Sequence, residues 1–347
     1  MKKRTLCLIF GGKSKEYAVS LRSCACILKH IDREKFELHK IGITENGEWY
    51  LFSGDEAHIE SGEWIYSKEK YPVFLSPNTG ELIYERNGRK ISLKPDIAFP
   101  IVHGDYGEDG RLRGLFDIMG IRCIGCSAEA GAVTFNKHLT KLIAVSKGID
   151  VCDFFCINGR QGMNIEDIRE KARGLGYPLF VKAATSGSSI GVYKVKSEEA
   201  LIPSVEKALE ISKTVLIEQE VVGTETEIAI LESEGKIRLG KIGQIEHTGD
   251  FYDYDTKYGN SEVKLIIPAK IGEECANLIK KQAREIFTAT GCRGMCRADF
   301  FVTAEGKVVF NELNTVPGFT SGSMYPLLMA DDTGEITDLI NNICLQM

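Results

Sequence analysis

Arg297 and Asp299 lie two residues apart in one apolar stretch, Met295 to Val302, and Glu312 and Asn314 two apart in the next, Lys307 to Asn314. Both stretches read as strands, in which alternate side chains share a face. If the two strands pair, two carboxylates, an amide and a guanidinium gather on one patch. Hard oxygen donors of this kind suit Mg²⁺, which takes one or two protein carboxylates together with substrate phosphates. The plainer alternative is a solvated sheet face with a single ion pair. Phe300, Phe301, Val309 and Phe310 beside the polar residues argue against full exposure.

Three further clusters carry chemical potential. Lys182 ends an apolar run and opens Ala183-Ala184-Thr185-Ser186-Gly187-Ser188-Ser189-Ile190-Gly191. Such a loop can bring backbone N–H groups and one cation onto phosphates, although Ser/Gly loops are also ordinary turns. It is not a Walker motif. The nearest Walker-like string, Gly12-Lys13-Ser14, lacks its upstream glycine because position 7 is Cys7, and no G-x-G-x-x-G follows a strand. His103 to Gly110 (HGDYGEDG) follows a buried-strand candidate, Asp96 to Val102, where an open α/β sheet presents ligand-facing turns. A tight acidic turn fits that stretch equally well. Phe251 to Tyr258 is aromatic and charged without helical or strand period, and reads as a surface loop or a lid.

The elements that must position these residues are legible in outline. Leu6–Phe10, the Gly11-Gly12 turn and a helical pattern through Val19, Leu21, Ala25 and Leu28 open a parallel α/β sheet. A short strand near Ile121–Ile124 closes this first unit, and the 50–90 stretch reads as an elaborated loop with a hairpin. Beyond about residue 135 the expected order is a strand at Phe154–Ile157, a helix at Ile165–Leu175 and a strand at Pro178–Lys182. Val192–Val195, a helix over Ser197–Ile211 and Val215–Glu218 follow. The last unit has strands near Glu225–Leu231 and Lys241–Ile245, a helix over Glu273–Thr290 and the strand pair above.

Composition narrows the function classes. With 347 residues the chain fits two or three domains. A net charge of −6 offers no general basic face for a nucleic acid or a membrane surface. No run of about 18 apolar residues announces a membrane span. Met1-Lys2-Lys3-Arg4 resembles the start of a signal peptide, but its apolar run stops at Phe10 before Gly-Gly and charges, so the reading is a cytoplasmic protein. Eleven cysteines include Cys123 and Cys126 in a C-x-x-C and Cys292 and Cys296 four apart. Without a matched second pair or histidines at ligand spacing, reduced and mostly buried thiols are expected.

Taken in order, these motifs resemble the D-alanine–D-alanine ligase family of ATP-grasp enzymes. The resemblance runs from Gly11 to about Leu327: FGG-x-S-x-E-x-x-VSL from Phe10 to Leu21, HG-x-x-GEDG, K-x-x-x-GSS-x-G, FYDY-x-x-KY, R-x-DFF and NE-x-NT-x-PG-x-T-x-x-S-x-YP. It implies an α/β (α+β) fold of three domains. These are an N-terminal open parallel α/β domain at 1–134, a central ATP-grasp subdomain at 135–222 and a C-terminal one at 223–347 with the lid and metal site. ATP and Mg²⁺ (Mn²⁺ as a substitute) are implied, along with D-alanine, a second D-amino acid and a two-fold homodimer. By the resemblance Lys137 and Lys182 hold ATP phosphates, with Lys257 of the lid as a further contact. Glu218, Gln219 and Val221 meet adenine, with Glu225 nearby, and Asp299, Glu312 and Asn314 are metal ligands. Glu16 receives the ammonium of the first D-amino acid, with His103 nearby. Ser188 and Tyr258 tie the glycine-bearing loop to the lid. Arg297 and the N–H of Gly318 form the oxyanion site, and Ser323 and Met324 meet the second substrate's carboxylate.

Three positions depart from the family pattern: Arg113 where glutamine is usual, Asn136 for aspartate and Ala183 for proline. The first and last are expected to act through the backbone or through neighbours. Asn136 bears on how Lys137 is held. Tyr258 argues against a D-lactate acceptor, and apolar Met324 favours D-alanine over D-serine. The extended 50–80 region with Gly47-Glu48-Trp49 is similar to the D-alanine–D-serine ligases of vancomycin resistance, so that specificity stays open. A non-catalytic nucleotide-binding protein of the same fold is the alternative of another class.

Overall fold

The computed structural model describes residues 3–159, 163–247, 263–320, 322–333 and 335–345. Phe251–Tyr258, with Lys257 and Tyr258, lies outside the described residues. The first unit begins with β1 (Arg4–Gly11), α1 (Tyr17–His30), β2 (Phe36–Ile43), β3 (Trp49–Phe52) and the one-turn α2 (Ala57–Glu60). It continues with β4 (Lys70–Ser76), β5 (Glu81–Arg86), β6 (Arg89–Leu93), β7 (Ile97–Pro100), α3 (Arg111–Ile118) and β8 (Arg122–Cys123). The eight strands form one sheet in the order β6-β5-β4-β3-β2-β1-β7-β8. Its β2-β1-β7-β8 half is parallel, as expected. The 50–90 stretch corrects the sequence reading: β3 to β6 extend the sheet antiparallel from β2 rather than forming a loop with one hairpin. That insertion also delivers fully buried Trp64, whose indole N–H donates to Tyr17 Oη at 2.9 Å and whose ring meets Phe10 edge-on at 5.1 Å.

Two helices, α4 (Ala128–Phe135) and α5 (Lys137–Ser146), lead to the second sheet. It comprises β9 (Phe154–Asn158), β10 (Leu179–Ala183), β11 (Val192–Val195) and β12 (Thr214–Gln219), antiparallel in the order β11-β10-β12-β9. Against it lie α6 (Ile165–Leu175), with Ile168 and Ala172 inward, and α7 (Glu198–Leu209), with Leu201, Val205 and Ala208 inward. Both show the i, i+3, i+4 spacing of a half-buried helix.

The third sheet is β13 (Thr224–Ser233), β14 (Lys236–His247), β15 (Val263–Ile266), β16 (Met295–Val302) and β17 (Val308–Asn314), in the order β15-β14-β13-β16-β17. Its far face packs α8 (Glu273–Ala289) through Ile279, Ala283, Ile286 and Phe287. The chain ends in α9 (Met324–Thr333) and α10 (Ile336–Leu345), which return to the first unit. One apolar core joins Leu6, Phe10 and Leu28 to Met295, Phe319, Leu328 and Leu339, so first and last segments share a hydrophobic interior. Among the described residues no helix is long and apolar enough to cross a membrane. All eleven cysteines are free thiols, nine of them buried.

Candidate active site

The β16–β17 pairing gathers the polar quartet as its spacing implied. Arg297 stands opposite Asn314 and Asp299 opposite Glu312. The ladder then slips by one residue, pairing Phe300 with Phe310 and leaving Asn311 as a bulge. Strict alternation would put Phe310 on the same face as Glu312 and Asn314. The bulge turns it into the core instead, where its ring meets Phe300 edge-on at 5.5 Å, while the polar side chains keep the cleft face. Arg297 donates through Nε and Nη2 to the two Asp299 oxygens at 2.8 Å each, and Asn314 Nδ2 donates to Asp299 Oδ2 at 2.9 Å. Glu227 on β13, opposite Asp299, places Oε2 3.1 Å from Arg297 Nε. Burial opposes the charge on Arg297, but Asp299 and Glu227 raise its pKa well above the usual value.

Two cavities meet at this patch. The first, about 470 Å³, lies between the second and third sheets and is lined by Lys137, Lys141 and Lys182. Glu218, Gln219, Val221 and Glu225 line it too, on the crossing from β12 to β13. Buried Glu218 reaches Lys182 at 2.7 Å and fully buried Lys141 at 3.3 Å. Burial alone would raise the Glu218 carboxyl, yet the two lysines hold it at about 2. Lys137 is the first residue of α5, which Asn136 caps by accepting the N–H groups of His138 and Leu139. Its ammonium pairs with Glu312 at 3.2 Å and donates to the Ser186 carbonyl. Asn136 thus caps α5 with a neutral side chain.

The second cavity, about 570 Å³, opens among α1, the loop after β7 and the segment after β17. Ser188, Ile245 and Glu312 line both cavities. Glu16 sits at the N-terminus of α1, where the helix dipole favours an anion, and its Oε1 accepts from Ser188 Oγ. Gly104 and Gly187 flank it. A Cβ at either would lie within about 2.5 Å of Glu16 Oε2, so a larger residue would displace this carboxylate. Glu108 lies close by with its side chain 12% exposed, and desolvation with the charge of Glu16 raises its pKa well above the ordinary value.

His103 lines the second cavity with both ring nitrogens engaged. Nδ1 lies 2.8 Å from the Val316 carbonyl, which can only accept, so the proton is on Nδ1. Nε2 then accepts from Ser23 Oγ at 3.0 Å, and that oxygen accepts the Phe319 N–H at 3.2 Å. Burial lowers the imidazole pKa to about 4, which keeps the ring neutral. The histidine therefore fastens the loop carrying Gly318 to α1. Within that loop Ser323 Oγ accepts the Thr320 N–H at 3.0 Å, and Gly318 and buried Met324 complete the wall.

The predicted residues among those described line these two cavities, except Asp299, which is buried behind Arg297 and Asn314. Glu16, His103, Arg297, Gly318, Ser323 and Met324 line the second, and Asn314 joins them. Sequence reading missed Lys141 and Glu227. Lys141 follows Lys137 by one helical turn, and Glu227 follows Glu225 by one strand repeat, so periodicity held both signals. Of the departures, Arg113 donates to the carbonyls of Cys123, Gly125 and Cys126, a backbone role, and Ala183 ends β10 fully buried.

Comparison with known proteins decides the kinship. A family profile described as "D-ala D-ala ligase N-terminus" matches residues 5–126, and one described as "D-ala D-ala ligase C-terminus" matches 143–345. The chain belongs to the D-alanine–D-alanine ligase family. A relative named D-alanine–D-alanine ligase from Clostridium novyi (strain NT) is 36% identical over 98% of this chain and 97% of its own. The solved VanG D-Ala:D-Ser ligase from Enterococcus faecalis superposes with a TM-score of 0.89 at 34% identity, covering 99% of both chains. The D-alanine–D-alanine ligase structure from Coxiella burnetii gives 0.86 at 27% identity, over 100% of this chain and 94% of that one. The family's α/β fold is therefore this chain's fold.

Proposed function

We propose that the protein joins two D-alanines into D-alanyl-D-alanine at the expense of ATP, through an acyl phosphate, for peptidoglycan precursor synthesis. The observation that carries this reading is the meeting of a lysine-lined cavity and a carboxylate-bearing cavity at Glu312, which stands opposite Asp299 on the paired strand. A nucleotide in the first cavity would point its phosphates at Lys137 and Lys182, with adenine toward Glu218, Gln219 and Val221 and with Glu225 nearby. The donor set of two carboxylates and one amide oxygen fits Mg²⁺, with Mn²⁺ as a substitute. Bound there, the metal would offset charge on the transferring phosphoryl group.

The chain's own residues supply the rest. Glu16 takes the ammonium of the first D-alanine and so aims its carboxylate at the shared wall. The carboxylate oxygen attacks the γ-phosphorus of ATP and ADP leaves. The amine of the second D-alanine then attacks the acyl carbon, and Arg297 with the Gly318 N–H receives the developing oxyanion. Loss of one such donor raises a barrier by about 3–4 kcal/mol. Inorganic phosphate departs as the peptide bond forms. Ser323 and Met324 face the second substrate. Lys257 and Tyr258 are assigned to a covering lid by motif alone. The reading takes 1–134, 135–222 and 223–347 as the domains, a two-fold dimer as the assembly and the cytoplasm as the location.

A D-serine acceptor is the second reading, favoured by the likeness to the VanG structure. The test is phosphate release with ATP, Mg²⁺ and D-alanine alone, then with D-serine or D-lactate added, with products identified by mass. D-Alanyl-D-alanine from D-alanine alone is the expected result. Mainly D-alanyl-D-serine would overturn the pocket assignment but keep the chemistry. No release with any D-amino acid from folded protein would overturn the function.

A further inference from the structure

We propose that Glu227 is a positioning residue that keeps the Arg297 guanidinium aimed at the reacting carboxyl when Asp299 is shared with a metal ion. The inference rests on the oxyanion role given to Arg297 above. Glu227, Asp299 and Glu312 stand in register across β13, β16 and β17, and the first two of these carboxylates pair with one guanidinium, Arg297. Glu227 lines the second cavity together with Arg297 and Asn314, and does not line the first, which holds the lysines. Its side chain is 4% exposed and its Oε2 approaches Arg297 Nε at 3.1 Å.

The need for such a residue follows from Asp299 serving two cations. Both its oxygens accept from Arg297 at 2.8 Å. A carboxylate that lends lone pairs to a divalent cation weakens its hold on a guanidinium, because the same acceptor sites and the same charge are divided. An arginine held only by Asp299 would then lose its aim as the substrates bind. Asp299 Oδ1 accepts the Nε hydrogen, and Glu227 keeps a second carboxylate oxygen 3.1 Å from the same nitrogen on the neighbouring strand, placed to hold that side of the guanidinium as a metal draws on Asp299. A neutral amide at this position fills the space without offsetting the buried charge.

The test uses the full-length protein in a mutant cycle of Glu227→Gln and Arg297→Lys. Four quantities are read: kcat for dipeptide formation, KM for D-alanine, Mg²⁺-dependent affinity for a non-hydrolysable ATP analogue by calorimetry, and the thermal midpoint. Glu227→Gln should lower kcat by about ten- to a hundredfold with analogue affinity within about twofold, and should add less than about threefold once Arg297 is already lysine. A kcat within about twofold of the parent, or losses that multiply in the double variant, would overturn the proposal. A tenfold or so fall in Mg²⁺-dependent analogue affinity would also overturn it, by making Glu227 a metal ligand. If Arg297→Lys alone keeps full kcat, the oxyanion role fails first and the two failures are told apart. Glu227→Asp keeps the charge and withdraws it by one methylene, so it stays informative if the glutamine variant does not fold. It should give an intermediate kcat, and parental kcat from it would contradict the assignment.

Discussion

The two cavities are built around charge triads of opposite sign. In the first, one carboxylate, Glu218, is flanked by Lys141 and Lys182. In the second, one guanidinium, Arg297, is flanked by Glu227 and Asp299. Each triad leaves a buried surplus, positive in one and negative in the other. A surplus of buried charge is costly unless a partner arrives, so the first triad suits polyanionic phosphates and the second suits cations. The lesson is that the chain divides recognition of ATP and of amino acid with metal between two ion clusters on different sheets. It couples them through Ser188 and Glu312, which line both cavities.

The strongest way to break this comparison is at the shared wall. Glu312→Gln should reduce ATP turnover by about a thousandfold or more while the thermal midpoint stays near the parent value. Normal phosphate release from the folded variant would remove the metal assignment. Lys141→Met sharpens the first triad alone. Removing one partner from a buried ion pair costs about 3–5 kcal/mol, and the surviving Lys182 puts the expected loss near 3 kcal/mol in urea unfolding. The same variant should change acid sensitivity. The Glu218 carboxyl is held at about 2 against an ordinary 4.5, so its contribution is full above pH 4.5 and lost as pH falls toward 2. Without Lys141 the carboxyl is held less far down, so its contribution is smaller and is used up at a higher pH, and an unchanged acid-unfolding curve would refute the pairing.

His103 tests the second cavity's frame. Its pKa is depressed from 6.5 to about 4, so the folded state binds fewer protons than the unfolded chain between those values. The stability it supplies is complete above pH 6.5 and lost as pH falls to about 4, on the order of 3 kcal/mol. His103→Asn should flatten urea stability between pH 7 and 4.5; the parental slope in the variant would contradict a buried neutral ring. The smallest expected effect is Tyr17→Phe, which removes the acceptor of the Trp64 indole beside Glu16. About 1 kcal/mol of stability and a modest rise in KM for D-alanine are expected, with KM for ATP unchanged.

Much of this was legible because period-two alternation is a strong signal wherever one face is polar and the other apolar. The β16–β17 pair brought Arg297, Asp299, Glu312 and Asn314 onto one patch, as the alternation implied for strands that pair. The bulge at Asn311 was not legible, since nothing local distinguishes one asparagine on a strand from another. The 49–93 insertion was misread because its strands are short and partly exposed, and β4 carries Pro72. Only the structure shows that this insertion brings Trp64 under Tyr17. Contacts such as Ser188 to Glu16, 172 residues apart, depend on how the second sheet sits over the first and leave no local mark in the sequence. The motif resemblance pointed to those residues, while the ion triads became visible only with Lys141 and Glu227 in place.

The acyl-phosphate step at the junction of the cavities is tested most directly with D-alanine carrying heavy oxygen in its carboxylate. The account expects one labelled oxygen in each phosphate released as dipeptide forms, because the attacking carboxylate oxygen leaves with phosphorus. Unlabelled phosphate accompanying dipeptide would contradict it, since the carboxylate would then not have been the phosphoryl acceptor.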